Sequence, residues 1–255
     1  MNVSWPYAVA VWRRNFAMYR RTWKLNLLPN FFEPVLYLMA IGIGVGSYVT
    51  EMAGMSYAEF LAPGLVCVAA MNGASFEVTY NVYVRLNFDK TYDAMLTSPI
   101  SVDDILVGEL LWAMTRVMIY GGSFLVIAML FGLAPLPGAL LAIPIIPLTG
   151  LLFATLGLAF TLRIPNIDLF SFYFTLFLTP LFLFSDVFFP IAERLSPELQ
   201  WVAELLPLVH PVRLTRAAFQ GQPSPYWVQD VLYLLGLSTL LFYGASRTIR
   251  KRLMA

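Results

Sequence analysis

Cysteine and histidine are almost missing: one of each stands among 255 residues. Cys67 has no partner for an intrachain disulfide, and one His with one Cys cannot make a His/Cys metal site. Charge is scarce as well. Asp, Glu, Lys and Arg make up 12% of the chain, about half of the roughly 25% usual in soluble domains, and the mean hydropathy is +0.73. That is too little charge to coat a soluble globule of this size. A net charge of +1 gives no bulk attraction to nucleic acid. The phosphate-binding pattern G-x-x-x-x-G-K-[ST] is absent. "GIGVG" at 42–46 lacks the lysine and lies in an apolar run, where small residues let helices approach closely. No nucleophile stands in a pattern with a base, and His210, in a proline-flanked turn, reads as structural. No cofactor, metal or catalytic group is expected in this chain, and an enzyme is disfavoured.

What is abundant is apolar sequence. A membrane-crossing helix needs about 20 mostly apolar residues. Six stretches qualify, roughly 31–49, 61–83, 105–131, 138–161, 168–189 and 228–246. The fold class predicted is an all-α integral membrane protein forming a single transmembrane domain over 1–255, with no internal repeat and no added soluble domain. Residues 1–28 do not read as a signal peptide, because Arg13, Arg14, Arg20, Arg21 and Lys24 are threaded among aromatics. On a helix, Trp5, Val9, Trp12, Phe16, Tyr19, Trp23 and Leu27 form one stripe, with the basic residues largely off it. This predicts an amphipathic helix in the membrane interface, the alternative being a solvated linker. Lys and Arg then alternate between loops. They are rich in the N-terminal segment, in 84–104, before the fifth span and in the tail 247–255. The positive-inside rule places both termini and residues 88–104 in the cytoplasm.

The segment 190–227 falls on the outer side. Ser196 can cap a helix that opens at Pro197 and runs through 198–206, and Pro211 can open a second through Phe219. Neither piece is long enough to span. A hairpin dipping back into the outer leaflet fits, since broken backbone is tolerated where protein buries it; a loop lying on the surface is the alternative.

"FDKTYDAMLTSPISVDDILVGELL", residues 88–111, is an acidic segment between two greasy runs. Phe88, Tyr92, Met95 and Leu96 fall on one side of a short helix ended by Pro99, and Asp89, Lys90 and Asp93 lie elsewhere around it. Ser101 and Asp104 then make a capping-box start, S-x-x-D, for the third span. The residues alone support either a stiff element that pushes on a partner or an ordinary loop helix.

The stretch "TYNVYVRLNFDKTYDAMLTSPISVDDILVGELLW" resembles the cytoplasmic loop of the type-two ABC transporter permeases, and most closely the nodulation-type lipo-oligosaccharide exporters. The proline-broken "LLPLVHPVRLTRAAF" resembles the same family's outer hairpin. The resemblance covers essentially the whole chain. It implies a homodimer of permeases in the bacterial inner membrane, serving export of a lipo-oligosaccharide or lipid-linked glycan. It also implies separate ATPase subunits that hold ATP and Mg. Residues 88–98 become the coupling helix, with Phe88, Asp89, Lys90, Tyr92, Asp93, Met95 and Leu96 meeting the ATPase. Efflux of hydrophobic drugs or natural products by the same architecture is an alternative, and an ion-coupled carrier is a rival of another kind.

Two features inside the spans complete the candidates. Glu77 lies in the second span and Arg116 in the third. A charge at helix-centre depth costs roughly 2.5–3.5 kcal/mol on insertion scales and usually finds a partner. A Glu77–Arg116 pair is the first reading, and a polar lining of the substrate path the second. The fifth span carries Phe170, Tyr173, Phe174 and Phe177. Such residues most often just pack or face lipid, but their flat faces also suit an amphipathic substrate.

Overall fold

The computed structural model describes residues 3–49, 51–190 and 196–253. The chain opens on α1, Trp5–Met39, with Pro6 in its first turn, where its missing N–H costs nothing. The expected boundary near residue 28 is not a break. α1 carries through Pro29 and Pro34 into a π turn, Ala40–Gly44, and a 3₁₀ turn, Val45–Ser47. A two-residue hairpin follows, β1 Glu51–Met52 paired with β2 Met55–Ser56. Its turn uses positive φ at Ala53 and Gly54.

Among the described residues, five helices are long and apolar enough to cross a membrane: Tyr57–Phe88 (α2), Val102–Leu130 (α4), Leu136–Thr161, Ile167–Phe184 (α7) and Trp227–Leu253 (α10). The third of these is two collinear pieces, α5 Leu136–Ala142 and α6 Ile145–Thr161. The expected first span, 31–49, is the second half of α1 with the turns after it. α2 starts at a reciprocal cap between Ser56 and Glu59. α4 starts at the capping box of Ser101 and Asp104 that its sequence foretold. Short helices complete the described chain: α3 Thr91–Leu96, α8 Pro197–Glu204 and α9 Val209–Phe219. α8 begins at the expected proline, whereas α9 begins two residues before Pro211. Residues 191–195, at the start of the expected hairpin, lie outside the described residues.

α2 is the centre of the bundle. Of its most apolar stretch 83% is buried, against 22% for α7 and for α10. Small residues set the close approaches around it. A Cβ on Gly157 of α6 would stand 2.4 Å from the Val78 side chain of α2. α1 lies alongside α4 and runs the same way. Ser4 N donates to Asp104 Oδ1 (2.6 Å), Trp12 Nε1 to Thr115 Oγ1 (2.9 Å), and Asn15 Nδ2 to Glu109 Oε2 (3.1 Å).

One end of the bundle gathers both ends of the described chain. Asp104 takes the Ser4 amide, and Asp103 takes both Arg250 Nε (2.9 Å) and Nη2 (2.6 Å) from the last turns of α10. Arg252 reaches Asn87 Oδ1 at 3.0 Å. The opposite end is closed by α8 and α9. His210 there stacks on Tyr233 with ring centroids 3.9 Å apart. Its Nδ1 meets Asp230 Oδ1 at 2.8 Å and its Nε2 meets the Glu204 carbonyl at 3.0 Å. Arg213 binds both Glu204 carboxylate oxygens (2.6 and 2.9 Å) and Asp230 Oδ2 (3.1 Å). That guanidinium holds the Glu204 carboxyl below its ordinary range. Ligand atoms of Glu204, His210 and Asp230 come within 4.8 Å of one another, a spacing a metal ion could use. Here the protein supplies the cation itself, as Arg213, and the group ties α8, α9 and α10 together.

A Cβ on Gly108 of α4 would stand 2.5 Å from Val11 Cβ and 2.7 Å from the Ala8 carbonyl, whereas one on Gly122 of the same helix would meet nothing within 4 Å. Gly108→Val is therefore expected to push α1 off α4 at a cost of about 1–3 kcal/mol or more. Gly122→Ala should be neutral or stabilise by about 0.5–1 kcal/mol. Thermal unfolding of the two variants in one detergent checks this; equal melting points would deny the close α1–α4 contact.

Candidate functional site

α2 is not regular α-helix to its end. It widens into π turns at Glu77–Asn81 and Val84–Phe88, a deviation frequent at functional sites. Between these turns lies a buried ion cluster. Arg85 Nη2 donates to Glu77 Oε1 at 2.8 Å and to Glu109 Oε2 of α4 at 2.7 Å. Both carboxylates are nearly sealed, at 3% and 2% exposure. Asn81 Nδ2 donates to the other Glu77 oxygen (2.8 Å), and Asn15 of α1 donates to Glu109. Arg116 Nε stands 3.6 Å from Glu77 Oε2. Its guanidinium lies over the rings of Tyr19 (4.8 Å) and Tyr120 (5.0 Å), and its Nη2 donates to the Tyr120 hydroxyl at 3.1 Å. Two cations thus balance two carboxylates between α2 and α4, and α1 joins them through Asn15.

The expected residues Glu77 and Arg116 are therefore near each other, but the shorter bond from Glu77 goes to Arg85. Sequence reasoning missed Arg85 by counting it as a loop charge, because the second span was ended at 83. It missed Glu109 although an acid inside the third span carried the same signal as Glu77.

α3 hangs from this cluster. Phe88 ends α2, Lys90 takes a left-handed φ of 51°, and α3 covers only Thr91–Leu96. The expected single helix with Phe88, Tyr92, Met95 and Leu96 on one exposed side is corrected here. The kink at Lys90 resets the phase, so Phe88 is 63% exposed while Tyr92 is 1% exposed. The Tyr92 ring faces the bundle interior beside Arg85 and Glu109; burial first, then the Glu109 charge, push its phenol well above its ordinary value. Met95 and Leu96 are half-buried against the core. Asp89, Lys90 and Asp93 are exposed. Arg14 of α1 also reaches Thr91 Oγ1 at 3.4 Å.

The aromatics of the fifth span divide. Phe170 is sealed among Tyr83, Tyr80 and Phe160. Tyr173 is buried, with its hydroxyl 3.3 Å from Ser75 Oγ. These two are core residues, which corrects their reading as path lining. Phe177 is half-buried beside Tyr173. Phe174 stacks on Phe76 at 4.7 Å and lines a cavity between α1, α2, α4 and α7. A π turn over Tyr173–Leu178 turns the face, which the even spacing of aromatics could not reveal.

The match to the ABC-2 type transporter family model takes in residues 7–219, which include every member of the ion cluster. The chain belongs to the ABC-2 type transporter family. It is 35% identical to nodulation protein J of Rhizobium leguminosarum bv. viciae over 96% of this chain and 95% of that one. Against nodulation protein J of Rhizobium leguminosarum bv. trifolii it is 36% identical, over 96% and 94% of the two chains. The inner membrane transport permease YadH of Escherichia coli (strain K12) is 25% identical over 87% and 86%. The chain is a multi-pass membrane transport permease of this ABC-2 family.

In this ABC-2 permease the ion cluster dictates how single substitutions behave. Arg85→Met should cost about 3–5 kcal/mol, because it leaves Glu109 buried with no cation and Glu77 with only the more distant Arg116. Adding Glu109→Gln, which removes the uncompensated charge and keeps Glu77 with Arg116, should restore most of that loss. Detergent melting curves of the single and double variants decide it: a double variant no better than Arg85→Met would show that the packing of Arg85, not its charge, holds the helices.

Proposed function

We propose that the chain is the transmembrane subunit of an ATP-driven exporter, working as two copies with two separate ATPase subunits that carry ATP and Mg. The cargo is a lipo-oligosaccharide or lipid-linked glycan moved outward across the bacterial inner membrane. Membership of the ABC-2 family and relatives named nodulation protein J support this reading. In it, the second half of α1 is the first of six spans, and both termini lie in the cytoplasm with residues 89–101. The gathering of Ser4, Asp103, Asp104 and Arg250 at one end of the bundle supports that placement. The segment 190–227 then lies outside, with α8 and α9 as its hairpin.

The observation that carries the mechanism is the setting of α3. Motion in a soluble ATPase can reach the spans only through a stiff element joined to them. α3 is joined by Tyr92, seated against Arg85 and Glu109, and these bind α2 to α4. Phe88, Asp89, Lys90 and Asp93 stay exposed for the partner, with Met95 and Leu96 along the edge. The coupling residues thus split into an outward set that meets the ATPase and an inward anchor.

Burying the Phe88 ring in the ATPase would contribute about 1.5–3 kcal/mol, roughly ten- to a hundredfold in affinity. Rim charges at Asp89, Lys90 and Asp93 would mostly set register and on-rate. Phe88→Asp should therefore release the ATPase from a correctly inserted permease. Tyr92→Ala should leave the partner bound yet separate hydrolysis from transport. Co-purification with cargo-stimulated hydrolysis tests both. Normal binding and normal coupling in both variants would return this segment to an ordinary loop helix.

A further inference from the structure

Glu33 sits on α1 within the apolar run "NFFEPVLYLM" and faces a cavity of about 190 Å³. Asn72, halfway along α2, and Tyr120, past the midpoint of α4, open on the same space. Glu33 therefore stands near the middle of the bundle's length, where an ionisable group is costly and marks function by default. Neither Glu33 nor Asn72 makes a side-chain hydrogen bond or ion pair among the described residues, so both keep their polar capacity for something else. The Tyr120 oxygen already accepts from Arg116 (3.1 Å), which leaves its own proton to donate into the cavity. Tyr37, Phe174 and Phe182 supply apolar wall.

We propose that Glu33 and Asn72 form a subsite that holds one sugar ring of a glycan-bearing amphiphile; this rests on the exporter reading above and deepens it. A sugar hydroxyl both donates and accepts. Glu33 accepts, Asn72 does both through its carbonyl and amide, and Tyr120 donates. The C–H face of the ring lies on the aromatic wall, and the cavity holds about one ring. An organic cation would ask only for acceptors and aromatic faces. It would also meet the Arg116 guanidinium directly behind Tyr120, which weighs against it.

The test uses the full-length permease alone in nanodiscs of neutral lipid, with labelled octyl β-glucoside and octyltrimethylammonium as probes, each below its micellar concentration. Wild type should bind the glucoside more tightly than the ammonium. Glu33→Gln, which keeps the shape, and Asn72→Leu should each weaken glucoside binding about tenfold, the scale of one or two lost hydrogen bonds. Melting points within a degree or two of wild type mark the variants that count, and Glu33→Asp is the second acidic-site variant if Glu33→Gln unfolds. Unchanged glucoside binding in the folded variants overturns the subsite. Tighter ammonium binding that Glu33→Gln abolishes overturns it in favour of a cation site. Because no ATPase is present, failure to couple hydrolysis to transport would sink the exporter reading without touching this result.

Discussion

One guanidinium nitrogen of Arg85 donates to carboxylates on two different helices. Taking Glu77 and Glu109 out of water costs several kcal/mol each, and only a cation in direct contact returns it. The separation of α2 and α4 at this level is therefore set by the 2.7 Å bond from Arg85 to Glu109 rather than by adaptable apolar packing, with Arg85 itself held on α2 by its 2.8 Å bond to Glu77. Asn15 adds α1 to the same carboxylate, and Tyr92 adds α3. α1, α2, α3 and α4 form one mechanical unit around a charge-balanced centre. α7 and α10, with little of their apolar surface buried, keep their outer faces for lipid or for another protein.

The π turns in α2 belong to this arrangement. Glu77 and Arg85 are eight residues apart, and the ion pair has to form on the inner face while Tyr80 remains on the outer one, against Phe174. The widened turns alter the helical phase between them. They also carry α2 on to Phe88, past the point where apolar sequence stops. A hydropathy reading ends the span where polarity begins, and so placed Arg85 in a loop. Tertiary pairing overrode it.

Much of the architecture was legible because hydropathy and caps are local. The long helices, the Ser101–Asp104 cap and the Pro197 start of α8 all follow from neighbours within four residues. What was not legible depends on backbone phase or on distant partners. A continuous helix from Phe88 would have set Tyr92 outward; the left-handed Lys90 turned it inward. The π turn in α7 took Tyr173 into the core and left Phe174 on the cavity. An interface helix over 1–28 and a separate span over 31–49 were expected from the aromatic stripe and from hydropathy, yet α1 is one helix from Trp5 to Met39. The Asp103–Arg250 bond joins residues 147 positions apart, beyond any spacing rule.

The adjacent acids Asp103 and Asp104 explain why the segment before α4 is so polar. Successive residues on a helix point about 100° apart, so the two carboxylates face different neighbours. Asp104 closes its own helix cap and takes the amide of Ser4, the residue just before α1; Asp103 takes the guanidinium near the end of α10. Both also lie where the positive end of the α4 dipole favours negative charge. The first turn of α4 thus holds the first and last helices of the described chain at once. α3 stands only a few residues away, so a displacement of α3 reaches α4 by two routes. One is the chain itself through 97–101, which delivers it to the termini of α1 and α10. The other is Tyr92 against Arg85 and Glu109, two turns deeper. A segment tied to a helix at two levels can tilt that helix as well as shift it, which a single attachment could not do.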